Sequence, residues 1–461
     1  MRAYTPNSKC APSRSTIVTG RNPWQLGAAA NNKPYFPELY TSVVDTLEEK
    51  AGYFVGYTGK GWGPGEISGP RTSLTGKEWN DVLMADEDRI TTDVDISDYT
   101  GNFKAFLAAK PANAPFFFWF GCREPHRPYE ENSYKRFAKE LSDLQWHPDF
   151  FNRHKKILGD ILDYAVEIEY YDQHLGRILA RIEDGDTRAS NVGNFTGSNV
   201  NLGNTLIIAT SDNAMPFPRF KGAPYEYAAR MPLAIMWKGR IADPGRTFDG
   251  MVNFADFAPT FLEVAGVLRV NSGMQAIQGR SLSRVLFPSL ARPVSEGGGE
   301  DGEATYTLTG RERNAPARYN PCYGYPVRGI IKGRYSYLHN FEPDRWPEGA
   351  PDLPGGGFDE ISYSPTKHMT TRFKPTSREY TMIYAKRPRE ELYDIVADPD
   401  CTVNLAVSSD FESVAADLKS VLFAALAEQG DPRMFGNGST FDSFPRQARG
   451  GVAGVGIVCD G

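Results

Sequence analysis

Apolar residues along the chain fall into two alternating patterns: short continuous runs, and longer stretches repeated at helical spacing. The runs are Tyr53-Phe54-Val55-Gly56-Tyr57, Pro115-Phe116-Phe117-Phe118-Trp119-Phe120, Thr205-Leu206-Ile207-Ile208-Ala209-Thr210 and residues 232–237. Runs of this length predict strands buried on both faces. Between them, Val43, Val44 and Leu47 predict a helix over 41–50, stopped by Gly52. Phe103–Leu107 predicts a second helix and Asp256–Ala265 another. The longest spans Lys155–Glu183, where Ile157, Ile161, Ala165, Ile168, Leu175, Ile178, Leu179 and Ile182 mark the inward face. Helices alternating with all-apolar strands predict an α/β domain with a largely parallel sheet.

The pattern changes after residue 300. Ala291–Thr305, with its Gly-Gly-Gly-Glu-Asp-Gly core, reads as a linker or surface loop. Val327–Ile331, Lys332-Gly333-Arg334 and Tyr335–His339 predict an antiparallel hairpin. A helix is expected over Asp410–Glu428, with Ser409 and Glu412 as a capping box and Gly430 as its stop. Its inward residues are Val414, Leu418, Val421, Leu422 and Leu426. The expected organisation is a catalytic α/β domain over 1–300, a smaller α+β domain with an antiparallel sheet over 301–445, and a frayed Gly/Val-rich tail over 446–461.

Composition narrows the function classes. A chain of 461 residues can bury a large core, and a net charge of −6 argues against a nucleic-acid surface. No apolar run reaches membrane-spanning length, and Met1–Pro6 lacks the apolar core of a secretory signal. The cysteines Cys10, Cys122, Cys322, Cys401 and Cys459 show no metal-ligand spacing. The abundant aromatics are compatible with carbohydrate binding.

The chemistry centres on Cys10-Ala11-Pro12-Ser13-Arg14, followed by Thr19-Gly20-Arg21. Pro12 and Ser13 are helix starters, by position and as a cap, and Gly20 is a stop. Cys10 is therefore expected at a helix N-terminus, where free N–H groups activate a nucleophile and attract an anion. Arg14, one turn on, can point back to it. Three expected strands end in polar loops carrying Lys60, His126 and Asp212-Asn213. Ligands of open α/β sheets gather beyond such carboxyl ends. Taken singly, Lys60 and Lys221 read as solvated charges, Pro125-His126-Arg127-Pro128 as a structural turn, Asp212-Asn213 as a cap and Arg230 as a buried structural pair. Together they suit displacement at a tetrahedral anionic centre.

The Cys10–Arg14 and Thr19–Arg21 strings resemble the signature of type I sulfatases in the alkaline phosphatase superfamily. Gly59-Lys60, Pro125-His126-Arg127-Pro128-Tyr129, Ser211-Asp212-Asn213, Lys221, Phe254–Leu262 and Glu391-Leu392-Tyr393-Asp394 extend the resemblance over about residues 5–440. Met215-Pro216-Phe217-Pro218 and the PHRPY loop lean toward heparan N-sulfatase-like members. The resemblance implies an alkaline phosphatase-like α/β/α sandwich with a large, mostly parallel sheet. It implies hydrolysis of a sulfate ester or sulfamate, on a sulfated saccharide or other small sulfate ester. It implies that a maturation enzyme oxidises Cys10 to formylglycine, whose hydrate attacks sulfur. Arg14 would orient that diol, Lys60 and Lys221 would neutralise sulfate oxygens, and His126 would protonate the leaving group. Asp212, Asn213 and residue 10 would ligate one calcium ion, and the location would be periplasmic or extracellular.

Three departures qualify this. Trp62 stands where the family has a histidine, and Ala214 where it has glycine. The family's preceding strand with an Asp-Asp metal pair has no counterpart before Cys10, so the 1–300 domain is expected to lack it, leaving Asp212-Asn213 as half a calcium site. Two rival readings follow: a catalytically impaired sulfated-glycan-binding homologue, and a phosphomonoester or phosphonate hydrolase of the same superfamily.

Overall fold

A computed structural model describes residues 2–183, 200–288, 304–314, 323–354, 356–447 and 456–457. In chain order its main elements are β1 (Arg2–Tyr4), α1 (Cys10–Thr19), α2 (Val43–Ala51), β2 (Phe54–Gly59), α3 (Tyr99–Ala109), β3 (Phe116–Gly121), α4 (Lys155–Glu183) and β4 (Ile207–Thr210). There follow β5 (Leu233–Met236), β6 (Met251–Asn253), α5 (Phe257–Val264), β7 (Tyr306–Arg311), β8 (Val327–Lys332), β9 (Tyr335–Asn340), β10 (Glu390–Asp394) and α6 (Glu412–Glu428).

Parallel pairing of β2 with β3, in register from Phe54↔Phe116 to Gly59↔Gly121, sets the layers. Phe116 and Phe118 pack with Phe103 and Phe106 of α3 and Ile178 and Ile182 of α4. Val55 and Phe117 point the other way, onto Val43, Val44 and Leu47 of α2 and Leu262 of α5. Period-two alternation thus buries opposite faces under opposite helical layers, giving the expected α/β/α sandwich. α2 forms where expected: the Ser42 hydroxyl accepts from the Val44 and Asp45 amides, Asp45 reaches back, and Gly52 closes it at φ 66°.

The large continuous sheet is present in separately bonded pieces. β2 and β3 join the short strand Lys77–Glu78; β4 pairs antiparallel with β5; β1 lies between β6 and Arg230–Met231. Among the described residues no strand bond joins β3 to β4, because a cavity separates them. Ile168, expected in the core, is 41% exposed, and its place on the cavity wall is the reason.

The later part of the chain builds an antiparallel sheet in the order β7-β8-β9-β10. The β8–β9 hairpin turns at Gly333, where φ is 61°. Leu418, Leu422 and Leu426 of α6 cover this sheet through Leu308, Ile330, Tyr337 and Leu392.

Other local expectations are corrected. α6 begins at Glu412 without a side-chain cap, since Ser409–Phe411 forms a 3-10 turn and Ser408 caps that turn instead. Ser13 lies inside α1 rather than at its cap, and its oxygen accepts from the Thr5 hydroxyl. Arg230 is about half exposed and only loosely paired with Glu226. The tail is tied down at its start: Arg446–Gln447 pairs with Gly456–Ile457, and Gln447 bonds Lys33 and Glu66. The rest of the tail, most of the 291–305 linker, Cys322 and Cys459 lie outside the described residues. Cys10, Cys122 and Cys401 are free thiols, and no described helix is long and apolar enough to cross a membrane.

Candidate active site

Cys10 opens α1, and no side chain caps that end, so its first N–H groups remain available to a ligand. The other end closes on Gly20 at φ 67°, where a Cβ would meet Ile277 at 2.7 Å. Every residue of α1 is buried, which fixes the helix and therefore its first residue.

Arg14 does point back. Its Nε donates to Asp212 Oδ2 at 2.6 Å, and its Nη1 donates to the carbonyls of Lys60 at 2.6 Å and Gly61 at 2.5 Å. Its guanidinium also lies over the Trp119 ring. One side chain thus ties the Cys10 helix to the ends of β2 and β4. The Cys10 thiol donates to Asn213 Oδ1 at 3.2 Å, and Lys60 Nζ stands 3.7 Å from Asp212 Oδ2.

The loops after β2 and β3 are pressed together. The Lys60 amide donates to the Gly121 carbonyl at 2.6 Å. A Cβ at Gly59 would come within 2.3 Å of that oxygen, and one at Gly121 within 1.9 Å of the Lys60 carbonyl. Only glycine permits this approach, which brings the Lys60 and His126 loops to one place.

His126 is exposed into the cavity, and its Nδ1 lies 2.7 Å from the Arg127 carbonyl, which it meets as the N–H donor. Nε2 is then the nitrogen free to exchange a proton. The neighbouring Arg127 forks onto buried Asp160 at 2.7 and 2.8 Å and donates to the Pro216 carbonyl. Sequence reasoning gave Arg127 no role; here it anchors the histidine loop to α4. Its position between His126 and Pro128 was the available signal. Lys221 directly precedes Gly222, which at φ 90° donates its amide to the Ser8 carbonyl.

Lys9 was also missed. Its ammonium lies 3.8 Å from Glu360, linking the nucleophile's flank to the later part of the chain. Trp62 has turned away into packing: its indole N–H donates to Ser15 Oγ at 2.9 Å, and its ring meets Phe36 edge-on. The place the resemblance gives to a histidine is thus filled by a structural contact.

The electrostatics are lopsided. Burial opposes ionisation of Asp212, yet Arg14, Lys60 and Lys221 hold its carboxyl well below the usual range. Burial alone would raise the Cys10 thiol, but Lys221, Lys60 and Arg14 bring it down to about 7. Lys221, with burial, pushes His126 down to about 3, so the imidazole is neutral near pH 7. Burial also lowers Lys60 and Lys9.

For a hard cation the described donors are few. Asp212 and Asn213 offer side-chain oxygens where calcium takes about six to eight. Asp212 is already engaged by Arg14 and Lys60, and among the described residues no group of three or more acidic, His or Cys side chains could hold a metal. These residues alone do not fit a calcium ion.

Comparison with known proteins matches this picture. The family model described as Sulfatase matches residues 1–267. An ulvan-active sulfatase of Formosa agariphila is 25% identical over 433 residues, covering 93% of this chain and 72% of that protein. Human N-sulphoglucosamine sulphohydrolase is 23% identical over 460 residues, covering 93% and 83%. Among solved structures, a protein from work on glycosaminoglycan metabolism by Bacteroides thetaiotaomicron superposes with a TM-score of 0.64. It is 17% identical, with 95% of this chain and 87% of that one covered. A phosphonate monoester hydrolase of Agrobacterium radiobacter gives 0.57 at 15% identity, over 93% and 88%. These likenesses carry the fold alone, whereas the family model covers more than half the chain. The chain belongs to the sulfatase family of sulfuric ester hydrolases.

Proposed function

We propose that this protein hydrolyses sulfate esters or sulfamates of a sulfated carbohydrate, using residue 10 as the nucleophilic position. The observation that carries this reading is the concentration of positive charge beside Cys10: Arg14, Lys60 and Lys221 all act on the carboxylate of Asp212. A sulfate group brings the negative charge such a pocket lacks. The names of relatives, ulvan-active sulfatase and N-sulphoglucosamine sulphohydrolase, support a sulfated saccharide as the substrate class.

Converted to formylglycine by a maturation enzyme, position 10 would supply a hydrated aldehyde as nucleophile at the helix N-terminus. The surrounding side chains then have separable tasks. Arg14, fixed by its three hydrogen bonds, holds the nucleophile's helix against the loop carrying Lys60. Lys60 and Lys221 bind the sulfate oxygens and neutralise charge that builds on them as the bond to the sugar breaks. His126 Nε2 delivers a proton to the departing oxygen or nitrogen. Because Lys221 keeps this imidazole neutral in the empty site, the proton arrives with the anion, whose charge offsets that of Lys221. Of the calcium ligands the resemblance implies, Asp212, Asn213 and residue 10 lie together among the described residues, and the cationic side chains beside them bind the anion.

The test is co-expression with a formylglycine-generating enzyme, peptide mass analysis of residue 10, then assay on aryl sulfate and aryl phosphate. Conversion with turnover of the sulfate ester supports the proposal; preference for the phosphate overturns the substrate class. The Trp62–Ser15 contact favours a second reading, a protein that binds sulfated glycans without turnover. Saturable binding of a sulfated oligosaccharide by fully converted but inactive chain would establish it.

A further inference from the structure

Buried polar atoms in a folded chain nearly always find partners, so those that do not are informative. Two belong to the wall of the cavity that also holds Cys10 and Lys221. Among the described residues, the side-chain oxygens of Asn32 and Asn314 accept no hydrogen bond. These residues are 9% and 2% exposed, so neither amide is a solvated surface group.

A run of hydrogen bonds starting at the nucleophile's flank fixes their place. The Gly222 amide donates to the Ser8 carbonyl at 2.6 Å, and the Gly222 carbonyl accepts from Asn314 Nδ2 at 3.4 Å. Asn32 Nδ2 donates in turn to the Asn314 carbonyl at 3.2 Å, while its backbone N–H donates to the Arg313 carbonyl at 2.9 Å. With both side-chain nitrogens engaged, oxygen is what each amide has left to offer. Lys9 reaches the same spot: a Cβ on Gly222 would lie 3.3 Å from Asn314 Nδ2 and 3.9 Å from Lys9 Nζ.

Charge is arranged differently here from the surroundings of Asp212. Lys9 faces Glu360 at 3.8 Å, Glu360 faces Arg311 at 3.7 Å, and Arg311 faces Glu348 at 3.8 Å. Two cations meet two carboxylates, so this flank does not call for another anion. Nor does it call for an ammonium group, which can only donate and would meet Lys9. A hydroxyl does both: it gives its proton to an amide oxygen and accepts one from a lysine.

We propose that Lys9, Asn32 and Asn314 form a subsite for the hydroxyl groups of the sugar ring that carries the sulfate. Ring hydroxyls donate to the two amide oxygens, and a hydroxyl oxygen accepts from Lys9. This proposal rests on the reading of Lys60 and Lys221 as the sulfate ligands and deepens it. Those cations hold the anion whatever bears it; the neutral flank tells a sugar from any other sulfate ester. Lys221 and Gly222 are consecutive, so one loop serves both parts of the substrate.

The test measures binding calorimetrically on the full chain expressed without a maturation enzyme, so that no turnover is needed. Two ligand pairs each match a sugar with a hydroxyl-free ring of the same size. They are glucosamine N-sulfate against cyclohexyl sulfamate, and glucose 6-sulfate against cyclohexylmethyl sulfate. In at least one pair the sugar is expected to bind roughly 10- to 100-fold more tightly. Asn32→Leu and Asn314→Leu, made separately, are each expected to cut that preference by about three- to tenfold, with the Kd of the hydroxyl-free partner unchanged. Equal binding within both pairs, no binding at millimolar ligand, or a preference that survives in both variants overturns the proposal. So does equal weakening of sugar and hydroxyl-free ligand in the variants, the sign of a merely structural role. If matured chain turns over neither sulfate ester nor sulfamate while the preference holds, the hydrolase reading fails and this one stands; turnover without the preference does the reverse.

Discussion

Two buried charge clusters in this molecule use the same side chains to opposite ends. Beneath the antiparallel sheet, Arg328 pairs with Asp431 at 2.6 Å and with Glu312 at 2.7 Å, while Arg433 closes on Glu312 at 2.6 Å. Two guanidinium groups meet two carboxylates, and nothing is left over. At the end of the parallel strands, Arg14, Lys60 and Lys221 surround Asp212. A neutral cluster has no use for a ligand; a positive one is incomplete until an anion arrives. Charge surplus, more than burial or pKa displacement, separates the site from the scaffold, for Glu312 is also held low, by Arg433 and Arg328 against its burial.

The comparison can be broken most decisively at the nucleophile. Cys10→Ala is expected to lower turnover of the matured enzyme by roughly 10⁴-fold or more while leaving thermal unfolding almost unchanged. Retained activity in a steady-state assay would remove Cys10 from the reaction. The balanced cluster should answer the other way. Glu312→Gln is expected to cost about 3–5 kcal/mol of stability in denaturant unfolding, because buried arginine charge is left unpaired, with KM unaltered in the folded fraction. Lys221→Gln should reverse that signature: kcat/KM falls roughly 10²–10³-fold, and stability stays level or rises as repulsion is relieved.

Lys221 is also the hinge of the smaller effects. In the unmodified chain the Cys10 thiol should alkylate with a midpoint at about pH 7, and Lys221→Gln should move that midpoint upward. His126 should titrate at about 3 by NMR, and the same substitution should raise it. The stability linkage has a definite sign. Between about 6.5 and about 3 the unfolded chain binds a proton that folded His126 refuses, so stability declines as pH falls through that window. A rising stability over the same fall in pH would contradict the assignment.

Much of this was legible in the sequence, and the reasons differ by region. Apolar runs such as 115–120 announced buried strands because a parallel sheet hides both faces, and the loops after them carried Lys60, His126 and Asp212 to one end. What stayed hidden depends on contacts distant in sequence. Nothing near Arg127 foretells Asp160, and nothing near Lys9 foretells Glu360. The break between β3 and β4 was equally invisible, since apolar pattern identifies strands without naming their neighbours. Local rules also failed where a 3-10 turn intervened, as at Ser409.

The burial of α1 carries a consequence for biosynthesis. Once the fold closes, the cysteine at its first turn is 5% exposed and surrounded by side chains from far along the chain. Asn213, its hydrogen-bond partner, is made 203 residues later. At a synthesis rate of about 5–20 residues per second, that interval is roughly 10–40 s. An enzyme that altered Cys10, as proposed above, would therefore work against a clock, reaching the thiol while the polypeptide is still growing or before it has packed. Chain folded in the absence of such an enzyme would present it with a closed door.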